Sequence, residues 1–234
     1  MDRWSMTSQV LDPKGYNNKG IIEQYTITAP EELITLHLVL VRPIGVSESS
    51  LLLTTNFCGN HSVFDRDDIA SPSTPYPSFC DMGEVGGVAN FILGDMINSF
   101  PEEDMLDQGI TFGTFYAGEI VPDEAGLAGH YLAALSGLSD TKVTGAISAW
   151  GWGYSLILDK LGDQFTNIAI YGHSRAGKAA LWAAANDERI DAVIAHQSGT
   201  GGATLNQSHK GESIKSVTSQ YPHWFDPAYA SLHD

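Results

Sequence analysis

IAIYGHSRAGKAALWAAA, Ile168 to Ala185, is the stretch that decides how this 234-residue chain reads. A short apolar strand (Ile168, Ala169, Ile170, Tyr171) runs into Gly172, a serine stands two residues later, and an alanine-rich segment with helical character begins at once. A sharp strand-to-helix turn of this kind presents a serine hydroxyl at its apex. The helix N-terminus then lies under the reacting group, where its unpaired N–H groups favour developing negative charge. Ala176 lies two residues after the serine, where such turns commonly carry Gly; both are small, so the departure is mild. Ala179, Ala180, Ala183 and Ala184 let the helix approach the sheet closely. Two rival readings use the same residues. Ser174 could be a plain helix cap, but a cap requires neither the preceding strand nor the flanking glycines. Gly172 to Lys178 also spells G-x-x-x-x-G-K, close to a phosphate-binding loop, but Ala179 stands where the magnesium-binding hydroxyl belongs.

Working outward, Ile21 to Thr28 and Leu33 to Val41 alternate apolar and polar residues around Pro30-Glu31-Glu32, which predicts an antiparallel pair. Leu51 to Thr55 and Gly109 to Tyr116 are near-continuous apolar runs suited to buried strands, and Ala192 to Ala195 is a further strand. Helices are expected over Val88–Phe100, Ala125–Leu138 and Val143–Leu161, the last with Ile147, Trp150, Tyr154, Ile157, Leu158 and Leu161 on one face and Gly162 as its stop. Asp65 to Gly87, rich in Ser, Pro, Asp and Gly, reads as a long loop. Strands alternating with helices predict an α/β three-layer sandwich with a mostly parallel sheet, in a single domain over residues 1–234.

Twelve basic against 28 acidic side chains give a formal charge of −16. That balance argues against nucleic acid and against anionic membranes as partners. No apolar run is long enough to cross a bilayer, and Met1-Asp2-Arg3-Trp4 leads into polar sequence rather than a secretory leader. Cys58 and Cys80 either pair or stand as free buried thiols; neither sits in a metal-binding pattern, so no metal is expected.

Several blocks together resemble the glucuronoyl esterases (carbohydrate esterase family 15, 4-O-methyl-glucuronoyl methylesterase-like), most of all the bacterial branch. They are Asn56-Phe57-Cys58-Gly59-Asn60-His61, Thr114-Phe115-Tyr116-Ala117-Gly118-Glu119-Ile120-Val121-Pro122-Asp123, Ala146 to Gly153, Gly172-His173-Ser174-Arg175-Ala176-Gly177-Lys178, Asp187 to Ile190, Ser198 to Ala203, Gly211-Glu212 and Pro222-His223-Trp224-Phe225. The resemblance runs in order from about residue 20 to the C-terminus. It implies an α/β-hydrolase fold and hydrolysis of esters of (4-O-methyl-)glucuronic acid through an acyl-enzyme on Ser174, without cofactor. Arg175 would stabilise the oxyanion, and Lys178 and Glu212 would bind hydroxyls of the uronic sugar. Read without the resemblance, Lys178 and Glu212 are solvated residues and Arg175 a surface charge. The resemblance also implies a secreted or periplasmic setting in lignocellulose degradation.

Two departures stand out. Gln197 occupies the position where the family often carries the triad acid, and a neutral amide cannot stabilise an imidazolium as a carboxylate does. The family's catalytic histidine, and in some bacterial members the acid, lies beyond Asp234. None of His61, His173, His196, His209, His223 and His233 has a spacing that nominates it as the base. The expectation is therefore a C-terminally truncated hydrolase domain lacking its last strands, impaired as an esterase on its own. Its exposed sheet edge would invite homo-oligomers, and a carbohydrate-binding relative without the base is the alternative.

Overall fold

Alternating side chains in the first third of the chain form an antiparallel meander. The computed structural model describes residues 3–64, 66–75, 77, 80, 100–138, 142–206 and 211–232. Strands β1 (Ser5–Lys14), β2 (Gly20–Thr28) and β3 (Thr35–Pro43) pair antiparallel in succession, with Thr28 opposite Thr35. β2 and β3 are the pair expected from the alternation. β1 left no such signal, because it is an edge strand exposed along most of its length, with Met6 and Val10 facing solvent.

The remaining strands are β4 (Ser49–Asn56), β5 (Ile110–Tyr116), β6 (Phe165–His173) and β7 (Ala192–His196). The sheet order is β1-β2-β3-β5-β4-β6-β7. β5, β4, β6 and β7 are mutually parallel, and β3 meets β5 antiparallel. β2, β5, β4, β6 and β7 therefore run one way, and β1 and β3 the other. The helices are α1 (Glu102–Asp107), α2 (Ala125–Ser136), α3 (Ala146–Leu161), α4 (Arg175–Asn186) and α5 (Ile214–Gln220). α2 and α3 match the expected helices, trimmed where Gly137 and Gly145 cap them. The helix expected over Val88–Phe100, apart from Phe100 itself, and about half of the Ser/Pro/Asp/Gly-rich loop from Asp65 to Gly87 lie outside the described residues. Among the described residues no helix is long and apolar enough to cross a membrane.

Period-two side-chain alternation sends residues to two cores. Leu36, Leu38, Leu40, Leu51, Leu53, Phe115, Ile168 and Ile170 pack on one face, against Ala149 and Leu156 of α3 and Ala179 and Ala183 of α4. Val39, Val41 and Phe112 face the other way, onto Phe64, Ile69, Met105 and Leu106. α3 and α4 touch through Gly151, where an added Cβ would lie 2.6 Å from the Trp182 ring and 2.8 Å from the Ala179 carbonyl oxygen. This close contact fixes α4, and with it the turn that α4 begins on. Cys58 and Cys80 are joined as a disulfide, which settles the choice the sequence left open.

Candidate active site

The turn between β6 and α4 is held in a strained shape. Ser174 has φ 53° and ψ −121°, a left-handed conformation that costs a non-glycine residue energy and persists only where the surroundings enforce it. They do so at three points. The Ser174 N–H donates to the His196 carbonyl at 2.9 Å. The Lys178 N–H donates to the Ser174 carbonyl at 3.2 Å, closing the first turn of α4. At Gly172 a Cβ would fall 2.2 Å from the Ala176 carbonyl oxygen, so the chain can double back only because that position is glycine. Ser174 is half-buried, and its hydroxyl accepts no backbone N–H of α4, which removes the helix-cap reading.

Arg175 opens α4 but is no surface charge, being 24% exposed. Its Nη1 donates to Oδ2 of Asp123. Its guanidinium lies 5.1 Å from the Trp224 ring centroid, 5.7 Å from Tyr221 and 5.8 Å from Phe57. Its Nε–H is buried with no acceptor among the described residues. Asp123, at the end of the TFYAGEIVPD block, is itself buried. Its Oδ1 accepts from His223 Nε2 at 2.9 Å and from Trp224 Nε1 at 2.7 Å. Burial works against its ionisation, but the His223 hydrogen bond, the Arg175 charge and the Trp224 N–H together hold its carboxyl below the ordinary aspartate range.

The strand-end loop after β4 forms the opposite wall. Asn56 accepts from the Gly59 N–H at 2.8 Å and donates to Asn60 Oδ1 at 2.7 Å and Thr114 Oγ1 at 3.1 Å. Asn60 donates to the His37 carbonyl at 2.9 Å. The two asparagines of the NFCGNH block are thus buried staples that aim Phe57 at Arg175, and the Cys58–Cys80 bond fastens the same loop. Arg175, Asp123, Asn56, Phe57, Tyr116 and Trp150 border a niche of about 30 Å³.

Lys178 corrects its solvated reading. It is 5% exposed, and its Nζ donates to the Ser198 carbonyl at 2.5 Å. Burial lowers its pKa; the Glu212 carboxylate opposes that shift and Arg175 adds to it. With its ammonium turned onto a backbone carbonyl and a tight turn in place of an open loop, Lys178 does not sit as a phosphate-loop lysine would. It borders a second cavity, of about 340 Å³, walled by Trp182, Trp224, Phe225 and Tyr229. Glu212 is exposed; its carbonyl accepts from Thr200 Oγ1, and its carboxylate reaches Lys178 through charge alone.

Among the described residues no imidazole is hydrogen-bonded to the Ser174 hydroxyl. His173 and His196 stand side by side at the ends of β6 and β7, with Nδ1 atoms 3.2 Å apart. His223 uses Nε2 on Asp123. His209 and His233 lie outside the described residues. Gln197 follows β7 with φ 48°. The sequence gives no sign of the contacts that join Asp123, Tyr221, His223 and Trp224 to Arg175, although each lies in or beside a motif block. Asp123 and its two ring donors are about a hundred positions apart, and no local spacing could join them.

Comparison with known proteins points in one direction. A family model described as glucuronyl esterase, fungi, matches residues 99–233. The chain is 28% identical over 193 residues to carbohydrate esterase MZ0003 from an unknown prokaryotic organism, covering 79% of this chain and 45% of that protein. It is 34% identical over 101 residues to a 4-O-methyl-glucuronoyl methylesterase of Podospora anserina, covering 37% of this chain and 21% of that one. Among solved structures, a CE15 esterase from a marine bacterial metagenome superposes with a TM-score of 0.77 at 25% identity, covering 99% of this chain and 61% of that one. A glucuronoyl esterase from Solibacter usitatus gives 0.77 at 24% identity, covering 100% and 62%, and shows the α/β-hydrolase fold. The chain spans less than half the length of either of these two curated relatives.

Proposed function

This chain belongs to the glucuronyl esterase family, and from that premise we propose that it is a serine carboxylic ester hydrolase acting on esters of glucuronic acid. The observation that carries the reading is the strained Ser174 at the β6–α4 turn, followed at once by an anchored guanidinium with a buried N–H that meets no acceptor among the described residues. In the proposed reaction Oγ of Ser174 attacks the ester carbonyl carbon. The carbonyl oxygen takes up negative charge beside Arg175 and the N-terminus of α4. The bond to the alcohol breaks, the serine proton leaves with the alcohol by way of a base, and the glucuronoyl group remains on Oγ. Water then cleaves that ester, releasing the glucuronate carboxylate and restoring the hydroxyl.

The aromatic-walled cavity beside Lys178 has the size and lining of a sugar subsite, with flat rings for a pyranose face and few polar groups to orient it. Lys178 and Glu212 serve the sugar hydroxyls in this reading. No cofactor enters, and the Cys58–Cys80 bond suits an oxidising, secreted or periplasmic setting.

The test is hydrolysis of a methyl or benzyl ester of glucuronic acid, with acetylated xylose as a control. Release of free glucuronate that Ser174→Ala abolishes supports the reading; cleavage of the acetyl control alone overturns it. A second reading, a sugar-binding relative with little turnover, is favoured by the absence of an imidazole on Ser174 among the described residues and by Gln197. Under it, glucuronate ester binds with unchanged affinity in Ser174→Ala and no product forms with either protein. A triad serine without its base retains only about 10³–10⁴-fold over water.

A further inference from the structure

We propose that Asp123 is a positioning residue that holds the Arg175 guanidinium toward the oxyanion forming at Ser174. The inference rests on the esterase reading above and adds a residue that the motif blocks do not assign. An aspartate carboxylate offers about four lone-pair sites. Three are engaged, by Arg175 Nη1, His223 Nε2 and Trp224 Nε1, and the side chain is 8% exposed. A guanidinium is planar and rigid, so fixing one nitrogen fixes the direction of the others. The Nε–H left over is buried without an acceptor among the described residues. A buried donor in that state is costly to the fold and is satisfied only when an acceptor arrives. The rings of Phe57, Tyr221 and Trp224 close the flanks, so the side chain has little room to leave this pose.

Asp123 can act this way because its own surroundings are tied to a helix. Trp150 Nε1 of α3 donates to the Val121 carbonyl at 2.8 Å. The first N–H groups of α3, from Ala146 and Ile147, donate to the His223 and Trp224 carbonyls at 2.8 and 3.1 Å. The PD end of one block and the PHW of another thus meet at the N-terminus of a buried helix, and the His223 and Trp224 side chains converge on the Asp123 carboxylate.

A carboxylate beside Arg175 also has an opposing effect: its charge weakens the field that the cation exerts on an oxyanion. The two effects predict opposite signs. If orientation dominates, as proposed, Asp123→Asn slows reaction at Ser174; if neutralisation dominates, it speeds it. The experiment is the second-order rate of Ser174 modification by a fluorophosphonate, mapped by peptide mass, in a double-mutant cycle with Arg175→Ala. The expected result is a slowing of about 10- to 100-fold for Asp123→Asn in the native background. In the Arg175→Ala background the same change moves the rate less than about twofold, because its effect runs through Arg175. A merely structural role would give the same slowing in both backgrounds and overturn the proposal, as would an unchanged or faster Asp123→Asn. Should Asp123→Asn not fold, Trp224→Phe carries the test, since it keeps a ring beside Arg175 and deletes one donor to Asp123. Slowing that disappears with Arg175→Ala supports the proposal, and no slowing overturns it. If the unmodified chain gives no adduct at Ser174, the esterase reading itself fails, a result distinct from any of these.

Discussion

Lys178 and His37 show at the level of single residues how burial changes what a charge does. The sequence alone makes Lys178 a solvated helix residue; the resemblance gives it a ligand role; the structure puts it under Trp224 on the Ser198 carbonyl. A lysine so placed contributes packing as well as charge, so Lys178→Ala should lower stability by about 2 kcal/mol and not only weaken sugar binding. Thermal unfolding beside a binding titration separates the two, and an unchanged melting temperature contradicts the buried pose. Nothing in the sequence marks His37 as special. Its Nδ1 lies 2.6 Å from Oε1 of Glu119, which is 1% exposed and also accepts the His37 and Ser73 N–H groups. The Glu119 hydrogen bond raises the His37 pKa against the opposing effect of burial. A raised folded-state pKa stabilises fully below the unfolded value of about 6.5, and that contribution is lost as pH rises through the folded value. Melting temperatures of the native chain and of His37→Asn should therefore converge as pH climbs from about 5.5 to about 9; a constant gap contradicts the linkage. Ser174 was legible because a nucleophile turn is written in consecutive residues. Asp123 was not, because its meaning depends on His223 and Trp224 across a hundred positions.

At the level of elements, the strand–turn–helix at Ser174 was readable from glycine placement and apolar runs, and so were β2 to β7 and the two long helices. β1 was not, since a strand with little buried surface leaves no alternation to find. The short α1 and α5 escaped for the related reason that two turns cannot establish a period. The turn itself is testable at Gly172. A methyl group there meets Ala176 backbone atoms at 2.2 and 2.4 Å, and backbone cannot move aside as a side chain can. Gly172→Ala should cost more than about 3 kcal/mol, above the usual penalty of overpacking. A shift in the urea midpoint reads it, and a loss under about 1 kcal/mol would mean that the turn is looser than described.

At the level of the whole molecule, one mixed sheet separates two apolar layers and gathers the candidate groups at the C-terminal ends of β4, β5 and β6, where open α/β sheets bind their ligands. β1 and β7 are the sheet's edges, and Ile194 on β7 is 52% exposed. The disulfide closes a 22-residue separation beside the site. Chain-entropy arguments give such a loop about 3 kcal/mol, so Cys58→Ser with Cys80→Ser should lower the melting temperature by roughly 6–12 °C in a chain of this size. The same pair of changes should raise KM, through Phe57, while a melting temperature unaffected by reduction would contradict a structural role. The central claim is that the Ser174 oxygen forms a covalent ester with the substrate's acyl group, and acid quenching of the chain mixed with a glucuronate ester tests it most directly. Peptide mass should show a glucuronoyl increment on the fragment holding Ser174 that Ser174→Ala abolishes; product formed with no such adduct, or an adduct that survives the substitution, would contradict the account.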